Sequence, residues 1–370
     1  MDKNELKYKI GISLIPGIGP INAKKLIAYT GSIEGVFSES GKNLKKIPGI
    51  GSQLAKNITN KSILSKAEEE IEFVKEYKIQ TYFYLDKNYP ERLKHCEDAP
   101  VMLFQKGKCN LNKQKIVSIV GTRNATQYGK NFCDDFIAAL QKNHPETIIV
   151  SGLAYGIDIT AHKSAIRHHL GTVAILAHGF KTLYPSAHRS IAKKIINQGA
   201  LITEFLSKDL PEKNNFVKRN RIIAGLADAT IVVESGPKGG ALITADIANS
   251  YNRDVFAVPG RTTDKWSKGC NQLIISNKAA LLENVSDLEY MLGWEVNKNE
   301  PASIQKELFA ELNKEEKSIV HILKENGDLT IDQISIKVQF PVSKVSSLLL
   351  GLEFKGIVKS LPGRLYKLFH

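Results

Sequence analysis

The chain has 370 residues, enough for a large hydrophobic core and for two or three domains. Lys and Arg number 51 against 38 Asp and Glu, and the formal net charge of +13 favours a polyanionic partner. No apolar run approaches the ~20 residues of a membrane span, and the N-terminus lacks a signal-peptide pattern. The 4 scattered cysteines argue against a disulfide scaffold and against structural zinc. We therefore expect a cytoplasmic protein without a membrane segment.

The N-terminal segment contains one motif twice. Pro-Gly-Ile-Gly occurs at 16–19 and again at 48–51, and a helical pattern follows each copy. This resembles the helix–hairpin–helix module, whose glycines allow a tight turn that offers backbone N–H groups to a nucleic-acid phosphate. We therefore expect a helical domain at 1–78, with DNA contact and a purely structural helical bundle as two open alternatives.

From residue 115 onward, strand and helix patterns alternate. This predicts an α/β fold at 79–294, a Rossmann-like, doubly wound and mainly parallel sheet. The predicted strands are 116–120, 147–151, 172–177, 200–204, 229–234 and 254–258. The predicted helices lie near 128–143, 157–169, 186–198, 217–226 and 241–252, and 208–215 is the most loop-like insertion.

After residue 294 the composition changes. The stretch 295–305 is polar and predicts a linker. The tail at 306–370 predicts three short helices, 314–324, 330–338 and 342–354, followed by two strands, which is the winged-helix pattern. Few side chains of the third helix suit base readout, so DNA binding and a protein-contact role are both open.

The motifs of common enzymes are missing from the sequence. Neither a Walker loop nor the spaced glycines of a dinucleotide fingerprint follows the predicted strands. Asp158 and His162 lie one turn apart in a predicted helix, but no Ser or Cys accompanies them in a nucleophile turn. We expect a protein that is not an enzyme, with no catalytic residues, no metal site and no cofactor.

Small residues and a cation follow two of the predicted strands. Gly121, Thr122 and Arg123 come directly after one strand, and Ser151 and Gly152 end another. The carboxyl edge of an open α/β sheet is where ligands bind, and anions are held there by backbone N–H groups. We therefore expect these five residues to form an anion site.

A basic cluster with an embedded aromatic ring lies further along the chain. Cations beside an aromatic ring suit single-stranded DNA, because the cations follow the phosphates and the ring stacks on a base. The alternative is a core phenylalanine beside a solvated helix start, and the expected position next to Arg123 favours the DNA interpretation. The cluster comprises Lys213, Phe216, Lys218, Arg219, Asn220 and Arg221.

Ordered motifs across residues 80–290 closely resemble the DNA-processing protein A family (DprA, also called Smf). They include Gly-Thr-Arg at 121–123, Ser-Gly-Leu-Ala-Tyr-Gly-Ile-Asp at 151–158, Leu-Tyr-Pro at 183–185, Arg-Asn-Arg-Ile-Ile-Ala-Gly-Leu at 219–226, Gly-Ala-Leu-Ile-Thr-Ala at 240–245 and Val-Phe-Ala-Val-Pro-Gly at 255–260. Paired hairpins before the sheet domain and a winged helix after it also fit the family.

The resemblance implies a Rossmann-like domain that binds and protects single-stranded DNA without an enzymatic step. It further implies a role in natural transformation and recombination, loading of the RecA recombinase onto the strand, and a homodimer. By position, the DNA pocket would use 121–123, with Ser151 and Gly152 nearby and 213–221 as its basic rim.

Two departures from the family pattern bear on the site. Ser186 stands where many relatives have a lysine, so the phosphate contact there would shift to Arg189 or be lost. The stretch 216–218 reads Phe-Val-Lys where relatives often have a proline, which would alter how Phe216 is presented.

The alternative function is a nucleotide-processing enzyme of the Rossmann-like phosphoribohydrolase type. Such enzymes carry a Pro-Gly-Gly-x-Gly-Thr loop near a catalytic glutamate, whereas 236–244 here reads Gly-Pro-Lys-Gly-Gly-Ala-Leu-Ile-Thr. Glu204 and Glu234 end predicted strands and could serve as acids, but the sequence gives them no partner. A purely structural scaffold would explain the winged helix and leave the clustered cations unexplained.

Overall fold

The structure is a computed structural model, and it describes residues 3–113, 115–294, 312–361 and 363–368. Two compact units make up the chain: Met1–Tyr251 with Val255–Leu281, and Asn252–Asp254 with Leu282–His370. The predicted linker at 295–305 lies outside the described residues. None of the helices in the described part is long and apolar enough to cross a membrane.

The first unit begins with two helical hairpins and a longer helix. Gly17 and Gly49 turn the hairpins with φ of 81° and 91°, a backbone region that favours glycine. The hairpins contact each other, since the Asn57 amide donates to the Pro16 carbonyl at 2.9 Å. This confirms the predicted helix–hairpin–helix architecture. The helices are α1 (Lys3–Ser13), α2 (Pro20–Thr30), α3 (Ile33–Ser38), α4 (Gly41–Leu44), α5 (Ser52–Ile58) and α6 (Ser62–Glu76).

A nine-stranded sheet follows in the order β1-β2-β6-β5-β4-β3-β7-β8-β9. Its strands are β1 (Gln80–Phe83), β2 (Met102–Gly107), β3 (Ile116–Val120), β4 (Ile148–Ser151), β5 (Gly171–Ile175), β6 (Ala200–Thr203), β7 (Ala229–Val232), β8 (Asp254–Ala257) and β9 (Ala280–Leu281). The pairs β3–β4, β4–β5, β5–β6, β3–β7 and β8–β9 are parallel, and β1 and β2 form an antiparallel edge. The predicted mainly parallel sheet is confirmed.

Helices cover both faces of the sheet, so its strands are buried on both sides. In β5, Val173 and Ile175 pack into the core that contains Ile222, whereas Ala174 between them packs into the core that contains Ile195. The helices are α7 (Glu91–Lys94), α8 (Gln127–Asn143), α9 (Ile157–Arg167), α10 (Arg189–Gln198), α11 (Lys213–Leu226), α12 (Gly240–Ser250) and α13 (Lys268–Ile275), with a 3₁₀ turn at Ser186–His188.

One boundary expectation is wrong. Helix α11 begins at Lys213, so the end of the predicted loop-like insertion 208–215 is helical. The first turn is polar and mostly exposed, and the pattern of an exposed helix start is indistinguishable from that of a loop. Because 216–218 contains no proline, the helix runs unbroken through Phe216.

The hairpin helices and the sheet share one hydrophobic core. Ile71 and Val74 of α6 pack with Phe83, Met102 and Phe104 of the edge strands. Beside this core, the Glu70 carboxylate accepts hydrogen bonds from the Ser207 N–H at 2.8 Å and from its hydroxyl at 2.7 Å. Glu70 thereby fixes the segment that leads from β6 to α11.

The second unit contains the predicted winged helix. Its elements are α14 (Val285–Leu292), α15 (Lys314–Asn326), β10 (Leu329–Thr330), α16 (Ile331–Val338), α17 (Val342–Phe354), β11 (Val358–Leu361) and β12 (Leu365–Leu368). The strands form an antiparallel sheet in the order β10-β12-β11. Ile319, Val345 and Leu349 are fully buried between the helices. The short strand β10 was not predicted, since two residues are too few to produce a periodic pattern. The predicted domain limits stay predictions.

Candidate nucleic-acid interface

The loop after β3 presents Arg123 to solvent. Its backbone is locked, because the Thr122 N–H donates to the Glu234 carbonyl at 2.7 Å and the Thr122 carbonyl accepts from the Ile157 N–H at 3.1 Å. Thr122 is buried, and a Cβ at Gly121 would overlap Ile157. Gly121 and Thr122 therefore support the loop, and Arg123 is exposed at its tip.

Arg123 contacts an aromatic pair. Its guanidinium carbon lies 5.7 Å from the centroid of the half-buried Phe216 ring. On Phe216 the Tyr184 ring packs edge-on, at 5.7 Å between centroids and 70° between planes, and Tyr184 is 43% exposed. A cation held against aromatic faces can bind a phosphate while the rings remain available to a base. We call these three residues the Arg123 cluster.

A second exposed aromatic residue lies on the neighbouring loop. Tyr155 is 46% exposed, and its ring meets the His188 imidazole at 4.8 Å between centroids. The buried His188 Nδ1 donates to the Leu153 carbonyl at 2.8 Å. Leu153 has φ of 57°, a left-handed conformation that is strained for leucine and that the neighbouring contacts must hold. The loop that carries Tyr155 is therefore tightly fixed.

Arg219 is not on the rim where the sequence interpretation placed it. Its side chain is buried, at 4% exposure, and its Nη1 donates to the Gly152 carbonyl at 2.6 Å and to the Ile175 carbonyl at 2.5 Å. Burial lowers the pKa of Arg219 to about 10, and the nearby Asp158 carboxylate opposes this shift. Arg219 therefore keeps its charge at neutral pH and braces β4 against β5 below the Arg123 cluster.

Ser151 and Gly152 lie in the same buried layer. The Ser151 hydroxyl donates to the Ile119 carbonyl at 2.6 Å, and the Gly152 N–H donates to Asp158 at 3.1 Å. A Cβ at Gly152 would overlap the guanidinium of Arg219. Both residues are used internally, so the expectation that they offer free donors to an anion is wrong for this structure.

Arg221 is also buried, at 9% exposure, which corrects its expected place on the rim. It donates to the Asp98 carbonyl at 2.6 Å and forms an ion pair with Glu204. Burial raises the pKa of Glu204, and Arg221 opposes this shift. The pair ties α11 to the end of β6 and gives Glu204 a partner that the sequence did not suggest.

The exposed cations of the predicted rim lie in the first half of α11. Lys213 and Lys218 are exposed, Asn220 is half-buried, and Phe216 lies between the two lysines in sequence. The N-cap residue of the helix is Glu212, and the first turn begins with Lys213.

The candidate catalytic groups serve the fold. The buried His162 Nδ1 bonds the Thr172 hydroxyl at 2.8 Å, and burial lowers the pKa of His162 to about 3. Glu234 accepts from the Thr126 N–H at 2.9 Å and from its hydroxyl at 2.5 Å, so it too has a partner. Among the described residues, no group of three or more His, Cys, Asp and Glu side chains could hold a metal ion.

Tyr155, Tyr184 and His188 were not among the predicted site residues. Tyr155 and Tyr184 lie in the motifs that carry the family resemblance, and His188 follows the second of these motifs by three residues. A usable signal was present: Tyr155 and Tyr184 each stand beside a glycine or proline in a segment that follows a strand, and aromatic residues on such loops are commonly exposed for binding.

Three family models match the chain. Residues 80–293 match DNA recombination-mediator protein A, residues 306–364 match the DprA winged helix domain, and residues 12–61 match a SAM-like helix-hairpin-helix tandem. Protein Smf of Synechocystis is 30% identical over 402 residues, which covers 99% of this chain and 100% of that protein.

Two solved structures resemble the chain. DNA processing protein A from Streptococcus pneumoniae superimposes with a TM-score of 0.62 at 32% identity, covering 78% of this chain and 98% of that one. DNA processing protein A from Helicobacter pylori, described for its single-stranded DNA binding mode, gives a TM-score of 0.53 at 27% identity, covering 59% and 97%. The chain belongs to the DNA recombination-mediator protein A family, whose members are named DprA or Smf.

Proposed function

We propose that this protein binds single-stranded DNA at the Arg123 cluster, without a catalytic step. The observation that carries the proposal is the contact of the exposed Arg123 with Phe216, whose ring also packs against Tyr184, at the carboxyl edge of the sheet. The formal net charge of +13 and the family membership support it. The described binding mode of the Helicobacter pylori relative is consistent with this substrate.

In the proposed mechanism, the single strand is bound both by cations and by stacking on aromatic rings. Arg123, Lys213 and Lys218 hold phosphates, and a base stacks on Phe216 or Tyr184, with roughly 1–3 kcal/mol for each stacked base. Every base has a π-face, so binding tolerates any sequence. A duplex keeps its bases stacked inward and can use only the charges, so we expect the single strand to bind more tightly.

The binding test is fluorescence anisotropy of a labelled oligothymidine and of its duplex, with wild type and Arg123→Ala. We expect the substitution to weaken single-strand binding roughly tenfold or more, because a hydrogen bond to a charged group contributes about 1.5–3 kcal/mol. Lys66→Ala, an exposed lysine on α6, is the control for the loss of one positive charge. Equal binding by wild type and Arg123→Ala would contradict the proposal.

We further propose that the bound strand is handed to the RecA recombinase and that the protein acts as a homodimer. Both steps rest on the family resemblance. Wild type should accelerate recombinase assembly on a strand precoated with a single-strand-binding protein, measured by ATP hydrolysis, and Arg123→Ala should not. Sedimentation velocity tests the homodimer, and a monomer at micromolar concentration would contradict it.

The alternative phosphoribohydrolase function is less well supported, because both of its candidate acids have side-chain partners. Glu204 is paired with Arg221, and Glu234 is bound by Thr126. Incubation with nucleoside monophosphates tests this directly. Release of free base by wild type, in the absence of single-strand binding, would favour the enzyme over the DNA-binding protein.

A further inference from the structure

A groove of about 590 Å³ leads away from the Arg123 cluster between α8 and α9. Arg123 and Tyr155 stand at its entrance and also belong to the candidate interface. Gln127 and Asn131 of α8 line one side, and Thr160 of α9 lines the other. Amide and hydroxyl groups of this kind bind phosphate and sugar oxygens.

Three cations line the same groove. Lys130 projects from α8, and Lys163 and Arg167 lie one turn apart on α9, so their side chains share a helix face. All three are exposed. Within the described part of the chain, neither Lys130 nor Lys163 has a carboxylate partner closer than 4.0 Å, so their charges are free to meet an anion.

Asp134 is the acidic residue that lines the groove, and its charge is already compensated. It accepts from Arg167 at 2.6 Å, from the Ser164 hydroxyl at 2.8 Å and from His168 at 3.1 Å. Those contacts lower the pKa of Asp134 against the opposing effect of burial. Because Arg167 offsets Asp134, the charges of Lys130, Lys163 and Arg123 at the entrance give the groove a net positive charge.

We propose that a single strand bound at the Arg123 cluster continues past Tyr155 into the α8–α9 groove. There Lys130 and Lys163 bind its next phosphates, while Arg167 compensates the negative charge of Asp134. This inference rests on the proposed function and adds the direction in which the strand leaves the cluster. Apart from Tyr155 and His188 at one end, the groove is lined by polar groups, cations and aliphatic side chains, so it holds the strand by its backbone.

A second groove is the alternative path by which the strand could leave the Arg123 cluster. It measures about 220 Å³ and is lined by the cations Lys106, Lys181, Arg189 and Lys193 over an apolar floor. The stretch 183–189 contributes to both grooves, with His188 in the first and Arg189 in the second. The second groove is smaller, and neither Arg123 nor Tyr155 lines it. We therefore assign the path of the strand to the first groove.

The experiment compares a short and a long oligothymidine, of about five and about sixteen nucleotides, within the range of single-strand site sizes. The double variant Lys130→Gln with Lys163→Gln should bind the short strand like wild type. It should bind the long strand roughly tenfold more weakly, and the slope of log K against log salt should fall by about 0.7 for each of the two phosphates lost.

The matched control is Lys106→Gln with Lys193→Gln, which removes the same charge from the second groove. It should bind both strands like wild type. A length-dependent loss in this control alone, or wild-type binding of the long strand by the first variant, would overturn the proposed path. If wild type binds neither strand, the proposed function itself fails, and the two failures are thereby distinguished.

Discussion

Arg123 and Arg219 lie at the same edge of the sheet but have different roles. Arg123 is exposed against Phe216, whereas Arg219 is buried and donates to two strand carbonyls. The difference comes from Gly152, which leaves room for a guanidinium where any side chain would overlap it. Arg219 therefore stabilises the ends of β4 and β5, whereas Arg123 is available to a ligand. Charge in the sequence therefore does not identify the binding residues, because packing decides which charges reach solvent.

Arg219→Ala should give the largest effect on stability. It removes the donors to the buried Gly152 and Ile175 carbonyls and one of the two cations that act on the buried Asp158 carboxylate. A buried acceptor that loses its hydrogen-bond donor costs about 1–3 kcal/mol, and this substitution leaves two such carbonyls. Urea unfolding should show this loss, whereas Arg123→Ala should change stability by less than about 0.5 kcal/mol. Equal stability of the two variants would break the comparison.

Gly152→Ala should be the next most destabilising change. The added Cβ must displace the Arg219 guanidinium from its carbonyl partners, and overpacking of a buried site costs about 1–3 kcal/mol. Gly240→Ala is the matched control, since a Cβ there meets nothing within 4 Å. Thermal unfolding of both variants tests this. An unchanged melting temperature for Gly152→Ala would contradict the structural role of Arg219 beneath Gly152.

Phe216→Ala should separate binding from stability. The ring is half-buried and contacts exposed groups, so we expect a small change in melting temperature and a loss of roughly 1–3 kcal/mol in oligothymidine affinity. Phe216→Trp preserves a stacking surface and should retain most of the affinity. A large drop in melting temperature without a change in affinity would instead assign Phe216 to the core.

The buried layer and the exposed cluster should also differ in their response to pH. The pKa of His162 is about 3 in the folded protein, below the value of about 6.5 for an exposed histidine. The unfolded chain therefore binds a proton that the folded chain rejects, so stability should fall as pH drops from about 6.5 towards 3. His162→Gln should flatten this dependence in urea unfolding. The DNA affinity of the folded wild type and of His162→Gln should stay constant between about pH 8 and about pH 9, where histidine is neutral and lysine and arginine keep their charge.

Local patterns were sufficient for the architecture. The strand 116–120 was predicted with its exact limits, because five β-branched or small residues buried on both faces leave a continuous signal. The turns at Gly17 and Gly49 followed from the chemistry of the Pro-Gly-Ile-Gly repeat. These features depend on neighbours in sequence.

The arrangement of the candidate site depends on contacts between distant segments. Phe216, Tyr184 and Arg123 lie on three different segments of the chain and come together only in the folded protein. No local sequence pattern predicts these contacts. Arg221 looked like a rim residue because Glu204, its partner, lies 17 residues earlier across a loop. The start of α11 was missed because an exposed, polar first turn lacks the apolar spacing of a helix.

The central claim is that Arg123 binds a phosphate while Phe216 stacks on a base of the same strand. The most direct test measures oligothymidine affinity across a salt series for wild type, Arg123→Ala and Phe216→Ala. We predict that Arg123→Ala lowers the slope of log K against log salt by about 0.7, and that Phe216→Ala lowers affinity equally at every salt concentration. Slopes that are identical in wild type and Arg123→Ala, or affinity that is insensitive to both substitutions, would contradict the account.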